Sequence, residues 1–259
     1  MPSELLTSRE GSTLILTLSD PATRNTLSPQ VYSAGVEALN VAESDDSVRA
    51  VILRGDGEHF CAGLDLSELR ERNTSEGMYH SRMWHAAFER VQFGGVPVIA
   101  LLHGAVIGGG LELASAAHIR VAEESAFYGL PEGQRGLFVG GGGSVRISRL
   151  AGVACMSDMM LTGRVLSAQE GHQVGISQYL TASGKGMEKA MELAARIANN
   201  APMTNYGVTH VLPRIADQSI QDGMVTESLM AAVAGSDPET KGRLAAFLDL
   251  KMNKVQRNT

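Results

Sequence analysis

The sequence predicts an α/β fold that gives way to helices toward its C-terminal end. Three observations carry that reading. Apolar, β-branched runs of strand length (Ser12–Leu18, Val48–Leu53, Val98–Leu102) alternate with stretches of helical period through the first part of the chain. From Gly186 onward only the helical period remains. Two strand-to-helix transitions pass through glycine, at Cys61-Ala62-Gly63-Leu64-Asp65 and at Gly108-Gly109-Gly110. We expect a core over residues 1–195 that carries the site, and a helical region over 196–259.

The elements follow in order. Leu5–Arg9 and Ser12–Leu18 flank Glu10-Gly11, a hairpin signal. Asp20-Pro21 ends the hairpin. Ser28-Pro29 opens a helix, an N-cap followed by proline at the first position, running to about Ala42. Val48–Leu53 is a strand, and Asp65–Leu69 begins a short helix after the first glycine bend. Arg70–Gly77 is a polar loop, and Met78–Gln92 is a helix. Val98–Leu102 is a buried strand, and Leu111–Ala117 a helix. After the glycine run 140–143, Ser144–Leu150, Met156–Leu161 and Ser167–Val174 are helical, and Ile176–Leu180 is a brief strand. Gly186–Asn199, Ser219–Ala234 and Pro238–Lys254 complete the helices.

Composition narrows the function. The chain has 259 residues, 44% apolar and 19% charged, enough to bury a sizeable core. A net charge of −6 argues against nucleic acid or an acidic membrane as partner. Two cysteines, Cys61 and Cys155, make no disulfide framework and point to a reducing, cytoplasmic setting. No run of eighteen apolar residues and no leader-like N-terminal segment is present.

The chemistry centres on residues 98–132. Glycines between a strand and a helix leave backbone N–H groups bare, and the helix start adds unpaired donors and partial positive charge. That is a cradle for a negative oxygen. Glu112 stands in the first helical turn and Glu132 follows Gly129-Leu130-Pro131. A cradle flanked by carboxylates indicates acid–base chemistry beside a carbonyl. The run Gly140–Gly143 lacks the Gly-Lys-Ser/Thr of a phosphate loop, and no dinucleotide fingerprint stands at the right place. Trp84, His80 and His85 read as core packing plus surface histidines, with a substrate tunnel as the alternative.

Phe60-Cys61-Ala62-Gly63-Leu64-Asp65-Leu66, joined to Gly108-Gly109-Gly110-Leu111-Glu112-Leu113-Ala114, resembles the enoyl-CoA hydratase/isomerase (crotonase) family. Asp20–Ser28, Phe127–Glu132 and Leu161–Arg164 with Ser167-Ala168 match in the family's order, over roughly residues 10 to 180. The resemblance implies a crotonase-like (ClpP/crotonase) spiral of ββα units with a C-terminal helical trimerisation region. It implies a homotrimer or a dimer of trimers, an acyl-CoA substrate, and no metal or cofactor beyond the coenzyme A of that substrate. The thioester oxygen would lie between the N–H groups of Leu64 and Gly109. Glu112 would act as base on a water and Glu132 as acid toward the α carbon, with Gly140 helping to place the water. Coenzyme A contacts are expected at Arg24, Ala62, Leu66, Lys251 and Lys254. The acyl pocket is expected at Met78, Trp84, Leu130, Leu137 and Phe138. Val139 stands where the family's hydratases usually carry proline. Hydration of an enoyl-CoA is the expected reaction; isomerisation, thioester hydrolysis and non-catalytic binding are the rivals.

Overall fold

A computed structural model describes residues 4–65 and 72–249. The chain divides into two compact units between Ala198 and Asn199, against the expected break after residue 195.

The first unit is organised by a six-stranded sheet. Strands β1 (Glu4–Glu10) and β2 (Thr13–Ser19) form the expected hairpin, turning at Gly11, whose φ of +58° favours glycine. Strands β3 (Ala50–Gly55), β4 (Val98–Leu102), β6 (Ile119–Glu123) and β9 (Tyr179–Thr181) then add in parallel, in the order β1-β2-β3-β4-β6-β9. β3 starts later than expected because Val48 N–H bonds the Asp45 carbonyl and closes a turn. The central strands are covered on both faces, which explains their unbroken apolar runs. One face carries Val51, Leu53, Val98, Ala100 and Leu102, packed with Trp84 and Phe88. The other carries Ile15, Ala50, Ile52, Ile99 and Val121, packed with Ala190, Leu193 and Ala194.

A second ladder runs beside the first. Strand β5 (Ala105–Ile107) follows β4, and β7 (Phe127–Gly129) follows β6, and the two pair in parallel. Bridges Cys61–Val106 and Leu27–Leu64 continue this ladder backward. Strand β8 (Leu166–Ser167) closes it, antiparallel to β7. Each long strand is therefore followed by a short segment that turns onto the second ladder, the repeating unit of the expected spiral. β5, β6 and β7 were not anticipated. Three to five residues carry too little periodicity to mark a strand.

Helices complete the turns. α1 (Pro29–Ser44) is capped by Ser28, whose side chain accepts from Val31 N–H. α2 (Thr74–Phe93) starts at a capping box between Asn73 and Glu76. Thr74–Gly77, expected as loop, is thus the first turn of a helix. α3 (Gly109–Ala116), α4 (Gly143–Ala151), α5 (Val153–Thr162), α6 (Ala168–Gln173) and α7 (Gly186–Ala198) follow. The short helix expected at Asp65–Leu69 falls almost wholly outside the described residues. The second unit holds α8 (Pro202–Tyr206), a π-helical turn at Gly207–Val211, α9 (Leu212–Ile215), α10 (Ile220–Ser236) and α11 (Pro238–Leu248). The sequence alone marks no helix over 202–215.

Candidate active site

Two glycine bends meet at one point. Ala62 N–H donates to the Arg24 carbonyl, Gly63 C=O accepts from Leu27 N–H, and Asp65 N–H donates to the Leu27 carbonyl. Gly63 allows this sequence of bonds through a φ of +106°. Leu64, between these bonded groups, turns its N–H away from Leu27 and toward α3. A methyl group built on Gly109 would lie 3.3 Å from Leu64 N, and one built on Gly63 would lie 3.5 Å from Gly109 N. Gly109 is the first residue of α3, so its N–H has no intrahelical acceptor. The pairing of Ile107 N–H with the Cys61 carbonyl at 3.0 Å holds the bends together. Two donors and a helix start therefore converge on one position.

Two carboxyl groups flank it. Glu112 lies in the first turn of α3 and is 2% exposed. Its Oε1 accepts from Gly141 N–H and Gly143 N–H, each at 2.8 Å. Glu132 arrives by another route. The Ile107–Gly129 pairing and the bond from Gly108 N–H to the Gly129 carbonyl (2.9 Å) aim the chain past the second bend. Gly108 makes room for the carboxyl: a methyl group there would lie 2.6 Å from Glu132 Oε1. No group among the described residues bonds the buried Oε2 of Glu132.

The two environments differ electrically. Burial pushes both carboxyls above their ordinary range. At Glu112 the two backbone bonds, Arg146 and His85 pull the other way. At Glu132 the Glu112 charge adds to the upward push, opposed by its own backbone N–H and by Arg135. Glu112 is the more deeply buried, which alone would favour its protonation. Two charge-assisted bonds to a single oxygen and nearby cationic groups oppose that push without cancelling it, because they stabilise only the ionised form; Glu132 has a neighbouring negative charge in their place.

A cavity of about 320 Å³ holds these groups. Of the residues expected in the site, Glu112, Glu132, Leu64, Gly109, Gly140, Ala62, Trp84, Leu137 and Phe138 border it. Met78 does not. α2 presents Gly77, His80, Ser81 and Trp84 to the cavity, spacings of three and four, which turns Met78 outward at 55% exposure. Leu130 is 1% exposed and belongs to the core. Arg24 lies instead on a separate polar pocket with Pro21, Asp56 and His59. Leu66, Lys251 and Lys254 lie outside the described residues. Sequence reasoning missed the amides of Gly141 and Gly143, Ser81 (whose hydroxyl donates to the Gly140 carbonyl at 2.6 Å) and Arg135 at the cavity wall. The signal for the amides was the glycine run itself, read only against phosphate and dinucleotide patterns.

Comparison with known proteins shows the family. A sequence profile described as enoyl-CoA hydratase/isomerase matches residues 8–253. The chain is 31% identical to a 2,3-dehydroadipyl-CoA hydratase of Escherichia coli K12, over 95% of this chain and 96% of that one. It is 30% identical to a short-chain-enoyl-CoA hydratase of Clostridium acetobutylicum, over 95% of each. Among solved structures, a candidate enoyl-CoA hydratase from Rhodopseudomonas palustris CGA009 superposes with a TM-score of 0.91 at 56% identity, over 95% of each chain. An enoyl-CoA hydratase from Bacillus anthracis superposes with a TM-score of 0.89 at 29% identity, over 95% and 96%.

Proposed function

Because the chain belongs to the enoyl-CoA hydratase/isomerase family, we propose that it adds water across the 2,3-double bond of an enoyl-CoA thioester. The single observation that carries the reading is the pair of glutamates, differently bonded, beside two converging amides. The ionised Glu112 takes a proton from water as the water oxygen bonds C3. The electron pair of the double bond moves through C2 onto the thioester oxygen. Leu64 N–H and Gly109 N–H hold that oxyanion, a contribution of about 3 kcal/mol for one such donor. Glu132, protonated, delivers its proton to C2 and the thioester carbonyl reforms. The next cycle begins when the proton held by Glu112 returns to Glu132 through solvent or product. No step calls on a metal or a redox group.

Positions at the edge of the site support a coenzyme A moiety leaving past Ala62, which hydrogen-bonds Arg24 and so links the cavity to the polar pocket beside it. The Met224, Val225 and Leu229 side chains of α10 are each more than 60% exposed, an apolar face that supports self-association as a homotrimer or a dimer of trimers. Analytical ultracentrifugation tests that assembly; a monomer at micromolar concentration would contradict it. Both thiols, Cys61 and Cys155, are unpaired, which supports a cytoplasmic setting. Among the described residues no helix is long and apolar enough to cross a membrane.

The test of the reaction is loss of enoyl absorbance on crotonyl-CoA, with product identified by mass. A gain of one water is expected. Release of free thiol without hydration would assign thioester hydrolysis, and loss of absorbance without a mass change would assign isomerisation.

A further inference from the structure

A second cavity lies behind the first. It measures about 60 Å³ and sits between α1, α2 and the sheet. Its wall includes Leu16, Val31, Val36 and Leu113 and, among the described residues, carries no charged side chain. Among the described residues Trp84 alone borders both this space and the cavity of the two glutamates.

Trp84 is built as a partition. It is 2% exposed. Its Nε1–H donates to His80 Nε2 at 3.0 Å, which fixes the plane of the indole from the front cavity. From behind, the Tyr32 ring meets it edge-on at 5.8 Å and the Phe88 ring lies 5.6 Å away. Here the front space is lined by both carboxyls and the rear space by hydrocarbon.

We propose that Trp84 sets the acyl-chain length of the substrate, closing the apolar rear cavity to the end of the chain so that short acyl groups are preferred. This rests on the acyl-CoA reading of the front cavity. The rear space suits an alkyl terminus, because its described wall is aliphatic and aromatic, with the Tyr32 phenol its one polar side chain besides the Trp84 indole already bonded to His80. Its volume matches a few methylenes, and each methylene buried is worth about a factor of four in affinity.

The experiment measures binding of butanoyl-CoA and decanoyl-CoA by calorimetry to the full chain. The ligands are saturated, so the result does not depend on turnover. In the parent the ratio of decanoyl to butanoyl affinity should be near unity or below. Trp84→Ala should raise that ratio about tenfold or more. Trp84→Leu, a smaller truncation, should raise it less and serves where the alanine variant fails to fold. Val36→Phe fills the rear cavity from α1. It should leave the ratio unchanged in the parent and abolish the gain in the Trp84→Ala background. A merely structural role for Trp84 predicts no such coupling. A folded Trp84 variant with an unaltered ratio, or a Val36→Phe effect on decanoyl-CoA in the parent, would overturn the proposal. Failure of both ligands to bind the parent would count instead against the acyl-CoA reading.

Discussion

Glu112 and Glu132 reach one cavity from regions of different construction. Glu112 stands on a buried helix turn and is gripped by the Gly141 and Gly143 amides. Glu132 stands on a turn after β7, half-buried, with a carboxyl oxygen that no described group bonds. The first region spends backbone donors on keeping a charge. The second offers only the residue's own backbone N–H and adds a neighbouring negative charge. The difference shows how one residue type performs two roles: surroundings, not identity, decide which carboxyl accepts a proton and which gives one.

The sharpest way to break the comparison is to remove either ionisable group while keeping its shape. Glu132→Gln and Glu112→Gln should each lower kcat on crotonyl-CoA by about 10³-fold with KM within a few-fold, the scale of a lost acid or base. Steady-state kinetics checks this; a variant with near-parental kcat would take its residue out of the mechanism.

Next in size is the oxyanion position. A methyl group on Gly109 would lie 2.9 Å from Leu64 Cγ and 3.3 Å from Leu64 N. Gly109→Ala should therefore part the two donors and lower kcat about a hundredfold. An alanine variant with unchanged kcat would mean that the bends do not act together.

Smaller still is the grip on Glu112. A methyl group on Gly141 would lie 2.7 Å from the Phe88 ring and 3.1 Å from Glu112 Oε2. Gly141→Ala should cost about tenfold in kcat, the scale of a sub-ångström displacement, and stopped-flow hydration reads it. No loss would show that those amides do not position the base.

The smallest effect is on stability. Burial raises the Glu132 carboxyl above its ordinary value in the folded chain. Its contribution to stability is therefore full below that ordinary value and is lost as pH rises through the folded one. Glu132→Gln lacks this dependence. Its Tm should exceed the parent's by about 2–4 °C in mildly alkaline buffer, and the gap should close in acid. Calorimetry across pH decides it; a gap that widens in acid would reverse the assigned shift.

How much of this was legible in the sequence follows the same divide. The long elements were readable because burial repeats along them: the hairpin at Gly11, α1 from Ser28-Pro29, the strand Val98–Leu102. The two bends and both glutamates were readable only as a set: glycine in a turn is ordinary alone, but two strand-to-helix glycine bends with two glutamates in a family's order are not. The short strands β5, β6 and β7 were not, since their identity comes from pairing with distant segments. Met78 was placed in the pocket although helix phase turns it outward, and Leu130 was placed there although the core claims it. Six residues separate Met78 from Trp84, which sets them about 120° apart around α2 wherever the helix begins, so they do not share a face. The anchors of Glu112 were hidden because a backbone amide has no residue type.

The central claim, that the two glutamates hold their protons unequally, is tested most directly by carbon-13 NMR titration of glutamate-labelled protein. The account predicts two carboxyls titrating above all the exposed ones, with the higher transition absent in Glu132→Gln. If the higher transition survives in Glu132→Gln and disappears in Glu112→Gln, the roles of acid and base are exchanged and the account is wrong.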